Sequence, residues 1–98
     1  IETIVVDNAS ADGSADAVAE RFPDVTLVRN PVNEGFAKAN NRALRLSRGR
    51  YVLLLNPDTL VPPDLLRPMV RLMDEHPEVG VAGCRVDYCV QAHWFRPR

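Results

Sequence analysis

Three short polar stretches carry the side chains that could do chemistry. They are Asp7, Asn8 and Ser10 in Asp-Asn-Ala-Ser, Asn33 and Gly35 in Asn-Glu-Gly, and Asn56 and Asp58 in Asn-Pro-Asp-Thr. Asp58 and Asn56 supply hard oxygen ligands, which Mg or Mn takes together with substrate phosphates. Asp7 can accept hydrogen bonds from a base or a ribose. Gly35 permits close backbone approach, and the helix N-terminus beside it offers amides to an anion. The set suits a nucleotide diphosphate held with a divalent cation. The competing phosphate motifs are missing: there is no Gly-x4-Gly-Lys-Ser/Thr and no Gly-x-Gly-x-x-Gly. A calcium loop at residues 7–13 fails because Ala9 and Ala11 stand at ligand positions.

Something must hold these stretches together. Residues 1–6, Ile-Glu-Thr-Ile-Val-Val, are rich in β-branched side chains and read as a strand. Ser14 is an expected N-cap, and Ala15, Val18, Ala19 and Phe22 recur at helical spacing until Pro23. A short strand is expected over residues 25–28. A second helix follows Asn33-Glu34-Gly35, with Phe36, Ala39, Ala43, Leu44 and Leu46 as its buried face and Gly49 as its C-terminal residue. Residues 51–55, Tyr-Val-Leu-Leu-Leu, read as a strand buried on both faces, stopped by Pro57. A third helix is expected over residues 63–76, with Leu65, Leu66, Met69, Val70, Leu72 and Met73 as its apolar stripe. Pro68 should shift or kink its start. Residues 79–86 read as a fourth strand.

Alternating strands and helices predict an α/β fold, a mostly parallel sheet of βαβ units with flanking helices. In such a sheet the strand-to-helix loops lie on one edge, where ligands bind. The three polar stretches should converge there.

Other features are bland. At 98 residues, 46% hydrophobic and 26% charged, the chain is one small globular domain at most. A net charge of -1 gives no basic footprint for nucleic acid. No apolar run approaches the roughly 20 residues of a membrane span, and no signal peptide is visible. The sequence opens at Ile1 inside a strand-like run with no initiator Met, as a fragment would. Cys84, Cys89 and His93 have a Cys-x4-Cys-x3-His spacing that matches no standard zinc site, so free thiols are expected. Asp12 and Ser14 read as turn and cap residues, Lys38 and Arg42 as a solvated basic face, and His76 and His93 as lone surface groups. Asn40 and Asn41 are poor helix residues, either a solvated pair or one of them facing a ligand.

The three blocks Val5-Val6-Asp7-Asn8-Ala9-Ser10-Ala11-Asp12-Gly13-Ser14, Asn33-Glu34-Gly35-Phe36-Ala37-Lys38-Ala39-Asn40-Asn41 and Leu54-Leu55-Asn56-Pro57-Asp58-Thr59 resemble successive blocks of the family 2 glycosyltransferases. The likeness is greatest to the bacterial rhamnosyltransferase-like subgroup. It covers residues 1–86, leaving residues 87–98 as a divergent or truncated tail. The resemblance implies a partial GT-A fold and a nucleotide-diphosphate sugar as donor. It implies that Asp7 reads a pyrimidine base and that Asp58 holds the divalent cation, Mg or Mn, on the donor diphosphate. Gly35 and Asn41 match residues of the donor-pocket helix. Asn56 stands where many members have Asp, which lowers the metal affinity expected.

Family members place another buried strand, ending in Thr-Tyr-Asn, before the residue matching Ile1, and carry the acceptor pocket and the usual catalytic base further on. The residues here offer no general base: Asp64 and Asp74 lie on the third helix, away from the proposed edge. The resemblance therefore implies the donor-binding portion of a hexosyltransferase-type enzyme that is inactive as this isolated stretch. It also implies a saccharide or lipid-linked acceptor and a role in cell wall or polysaccharide biosynthesis. The expected location is cytoplasmic, with the inner face of the membrane as a further option. A homo-oligomer formed through exposed strand edges is open. The alternative reading is a non-catalytic nucleotide-binding or structural α/β module, with a metal-dependent nucleotidyltransferase as a weaker third.

Overall fold

The computed structural model describes residues 1–87 and divides the chain into two compact units, Ile1–Thr59 and a second from Leu60 onward. The first unit holds β1 (Ile4–Asp7), α1 (Ser14–Arg21), β2 (Thr26–Arg29) and α2 (Phe36–Leu46); the second holds α3 (Leu66–Glu75). β1 and β2 are parallel, with Ile4 opposite Thr26 and Asp7 opposite Arg29. The ladder runs one step beyond each end, through Thr26 N to Thr3 O at 3.0 Å and Asn30 N to Asp7 O at 2.8 Å. With α1 as the crossover this is one βαβ unit, and the α/β class read from the sequence stands. α1 packs on β2 and α2 on β1. Ala15 of α1 and Ala39 of α2 are the buried apolar residues of the described chain.

Local chemistry explains the element ends. α1 begins at Ser14, one residue earlier than a Ser14 N-cap would require. The N-cap is Gly13, in the left-handed region at φ 80°. Asp12 does the capping work instead: its Oδ1 accepts the Ser14 N–H at 3.0 Å. α2 ends at Ser47, whose N–H reaches Ala43 O at 3.0 Å and whose hydroxyl donates to Leu44 O at 2.8 Å. Those bonds satisfy the terminal carbonyls, and Gly49 is not needed to stop the helix. Phe36, expected on the buried face, is 67% exposed. α3 starts at Leu66 rather than Pro63, which puts Pro68 in the first turn, where its missing N–H costs no helical bond.

Two expected strands are not formed. Residues 51–55 join no strand ladder among the described residues, and Val52, Leu53, Leu54 and Leu55 are 41–52% exposed rather than buried on both faces. A ladder needs a neighbour. No described residue supplies a neighbouring strand to this run. Residues 79–86 likewise form no strand, with Val81 91% exposed. The mostly parallel sheet is thus two strands wide among the described residues. Cys84 is a free, exposed thiol whose Sγ lies 3.4 Å from Met69 Sδ; Cys89 and His93 lie outside the described residues. No helix among the described residues is long and apolar enough to cross a membrane.

Candidate functional site

The carboxyl ends of β1 and β2 carry the site. Asp7 is the last residue of β1 and half-buried. Its Oδ1 accepts the Ser10 N–H at 3.2 Å, which folds the following loop back on the strand end. Its second carboxylate oxygen takes no hydrogen bond among the described residues, so it can still accept from a ligand. Between them, Ala9 sits at φ 66°, a left-handed conformation that costs a non-glycine residue about 1 kcal/mol. The Ser10 side chain is exposed at the mouth of this loop.

Asn8 joins this loop to the next one. Its Nδ2 donates to Asn33 Oδ1 at 2.7 Å, and its Oδ1 accepts both Asn30 Nδ2 and the Glu34 N–H at 3.0 Å. Asn33 Oδ1 in turn accepts the Gly35 N–H at 2.9 Å. Gly35 then caps α2 with φ 80° and ψ 170°, a combination open essentially to glycine alone. A Cβ there would meet nothing within 4 Å. The glycine is required by its backbone angles and not by crowding within the protein. Glu34 is clamped to α2 by Arg42, through Nη2–Oε1 at 2.9 Å and Nε–Oε2 at 2.8 Å, so Arg42 is not the solvated group its sequence position suggests.

The remaining candidates are more dispersed. Asn40 turns its amide back to Phe36 O at 2.9 Å, the local bond that lets Asn sit in a helix. Asn41 is exposed, in a shallow groove with Glu34, Lys38, Arg42 and Arg45. Asn56 and Asp58 are exposed on a turn whose bonds are internal, Thr59 N to Asn56 O at 3.3 Å and Thr59 Oγ1 to Asn56 O at 2.6 Å. Of the three polar stretches expected to converge, hydrogen bonds join the first two, and the third is not tied to them. His76 pairs with Glu78 Oε1 at 3.1 Å.

Among the described residues no cluster of three or more His, Cys, Asp or Glu could hold a metal by itself. Asp58 is a single accessible carboxylate. That donor set fits a cation shared with a diphosphate, and does not fit a protein-only cage.

Asn30, just beyond the strand expected over residues 25–28, was not singled out in the sequence. It is 3% exposed, the most buried polar residue described, and its Oδ1 has no hydrogen-bond partner. The signal that could have found it is the presence of three asparagines in two loops on one sheet edge, since amide side chains pair readily with one another.

The family model for glycosyl transferase family 2 matches residues 1–98. The succinoglycan biosynthesis protein ExoO of Rhizobium meliloti is 38% identical over 76 residues, covering 76% of this chain and 22% of that protein. The uncharacterized glycosyltransferase YibD of Escherichia coli is 29% identical over 92 residues, covering 91% of this chain and 26% of that protein. The uncharacterized protein y4gI of Sinorhizobium fredii is 31% identical over 109 residues, covering 97% of this chain and 12% of that protein. The chain thus spans between 12% and 26% of the length of these relatives. No solved structure matches it. The chain belongs to glycosyl transferase family 2.

Proposed function

We propose that this chain is the donor-binding portion of a glycosyltransferase that takes a sugar from a nucleotide diphosphate. The observation that supports this best is the coupling of the Asp7 loop to the Asn33–Gly35 loop at the carboxyl edge of a parallel sheet, the place where ligands bind in open α/β folds. Asp7 accepts hydrogen bonds from the base through its uncommitted oxygen. The loop that ends at Gly35 lies along the donor, with Asn41 further along α2. Asp58 and Asn56 face the diphosphate. A divalent cation on Asp58, when bound, neutralises charge building on the departing diphosphate.

The reaction class is displacement at the anomeric carbon by an acceptor hydroxyl, a saccharide or a lipid-linked saccharide. The sugar–diphosphate bond breaks, a glycosidic bond forms, and the hydroxyl proton passes to a base outside these residues. ExoO is named for succinoglycan biosynthesis, and the 30% identical GgaB of Bacillus subtilis for minor teichoic acid biosynthesis. Surface or cell wall polysaccharide is accordingly the proposed product class.

Titration calorimetry with UDP, dTDP and GDP, each with and without manganese, tests the reading. Binding of one diphosphate that strengthens with manganese is expected. No binding of any of the three would overturn it.

A further inference from the structure

The hydrogen bonds around Asn8 have one consistent orientation. The backbone N–H of Glu34 can only donate, so the Asn8 atom that meets it is the oxygen. The backbone N–H of Gly35 fixes the Asn33 oxygen in the same way. Asn8 Nδ2 must then donate to Asn33, and Asn30 must present its Nδ2 to Asn8. Two main-chain amides thus set the direction of three side-chain amides. Asn8 has its oxygen and one amide hydrogen engaged within the protein. Asn33 uses its oxygen twice. Asn30 is buried beneath both loops' polar contacts, out of reach of a ligand.

We infer that Asn8, Asn30 and Asn33 are positioning residues: their side chains touch no donor, and they act by locking the Asp7 loop to the loop that ends at Gly35. The inference rests on the donor-site reading above. Asn30 anchors the relay at the end of β2, and its Nδ2 orients the Asn8 oxygen. Asn8 carries the orientation across to Glu34 and Asn33. The Asn33 oxygen holds Gly35 in a backbone conformation that α2 needs in order to start. Without the relay the two loops would still leave the same strand ends, but their separation would no longer be fixed.

The test uses the full chain and two readouts: hydrogen exchange of the Glu34 and Gly35 amides by NMR, and affinity for whichever of UDP, dTDP and GDP the wild type binds. Asn30→Ala and Asn8→Ala should speed exchange at Glu34, and Asn33→Ala at Gly35. Each should weaken nucleotide binding about tenfold, the worth of one hydrogen bond in a preorganised loop. Amides of β1 and β2 should keep their protection. Asn33→Asp is the discriminating variant, because a carboxylate can accept from both Gly35 N–H and Asn8 Nδ2. At roughly 0.3 M salt, where added surface charge is screened, it should restore protection and bring affinity back to within about threefold. Asn33→Asp as weak as Asn33→Ala would mean that the Asn33 amide hydrogens contact the donor directly, and would overturn the positioning role. Unchanged binding in Asn30→Ala would overturn it too, with the donor-site reading intact. A wild type that binds no nucleotide fails the donor-site reading itself. Asn33 is exposed, so its two variants report even if Asn30→Ala does not fold.

Discussion

At the scale of single residues, the Asp7 carboxylate has one oxygen on the Ser10 N–H and the other uncommitted, and the proposed function gives that second oxygen to the donor base. Asp7→Asn should therefore weaken binding of a uridine or thymidine diphosphate by about 1.5–3 kcal/mol, the worth of a charge-assisted hydrogen bond, with little change in stability. An equal loss with a purine diphosphate would show that Asp7 does not read the base. Asp58 sits on a self-contained turn and packs against no core. Asp58→Ala should abolish the manganese dependence of nucleotide binding and leave the thermal midpoint unchanged; retained manganese dependence would remove Asp58 from the metal site. Gly35 is constrained differently. Open space surrounds its Cα, so Gly35→Ala should cost about 1–3 kcal/mol through backbone strain alone, read as a fall in unfolding free energy. A neutral Gly35→Ala would mean that the loop before α2 can relax.

At the scale of elements, what was legible in the sequence was whatever depends on near neighbours. The start of α2 and the end of β1 follow from side chains within a few residues, and both are found within a residue of where they are expected, while β1 starts at Ile4 rather than Ile1 and α2 stops at Leu46, short of Gly49. The run of residues 51–55 fails for the opposite reason. Its composition says that it can be a strand, but whether it is one depends on a partner strand that no local pattern encodes. Asn30 was missed on the same ground, since its partner lies 22 residues away. The Asp7, Asn8 and Asn33 cluster was legible because strand ends and polar loops are local, and topology then brings them together.

One inter-element contact was also invisible in the sequence. Glu2, beside the start of β1, accepts the Arg48 N–H at 3.0 Å and pairs with its guanidinium, tying the end of α2 to the first strand. The Arg48 N–H, then its guanidinium, holds the Glu2 carboxyl below its ordinary 4.5. The Ser14 hydroxyl and N–H likewise hold Asp12 below 3.8. A depressed folded-state value means that these contacts stabilise above the ordinary value and are lost as pH falls through the folded one. Glu2→Gln and Asp12→Asn should thus lower the thermal midpoint near pH 7, and the gap to wild type should close as pH falls below 4.5 for Glu2 and below 3.8 for Asp12. A gap that stays constant across pH 3–7, measured by circular dichroism melts, would assign the effect to packing rather than charge.

For the molecule as a whole, the decisive feature is unpaired backbone. The first unit has a parallel sheet of two strands, and each strand keeps one edge without a ladder partner among the described residues. Two strands are marginal alone. In the same unit, the four apolar residues 52–55 are about half exposed and join no ladder among the described residues. Water satisfies such a backbone only at the cost of wetting Val and Leu side chains, and another strand satisfies it better. The 98-residue chain alone should therefore associate with itself through these edges, forming dimers or larger species whose mass rises with concentration. Association would cover the edges without supplying an acceptor pocket or a base, so the same sample should bind a nucleotide diphosphate weakly and transfer no sugar. Size-exclusion chromatography with light scattering, run beside a donor-consumption assay, tests both halves. Val52→Lys with Leu54→Lys places charge along the apolar run and should shift the mass toward monomer without altering nucleotide affinity. A wild-type monomer at about 100 μM would refute the edge argument on the roughly micromolar-to-millimolar scale where such surfaces associate. Sugar transfer by that monomer would show that these residues hold a catalytic base after all.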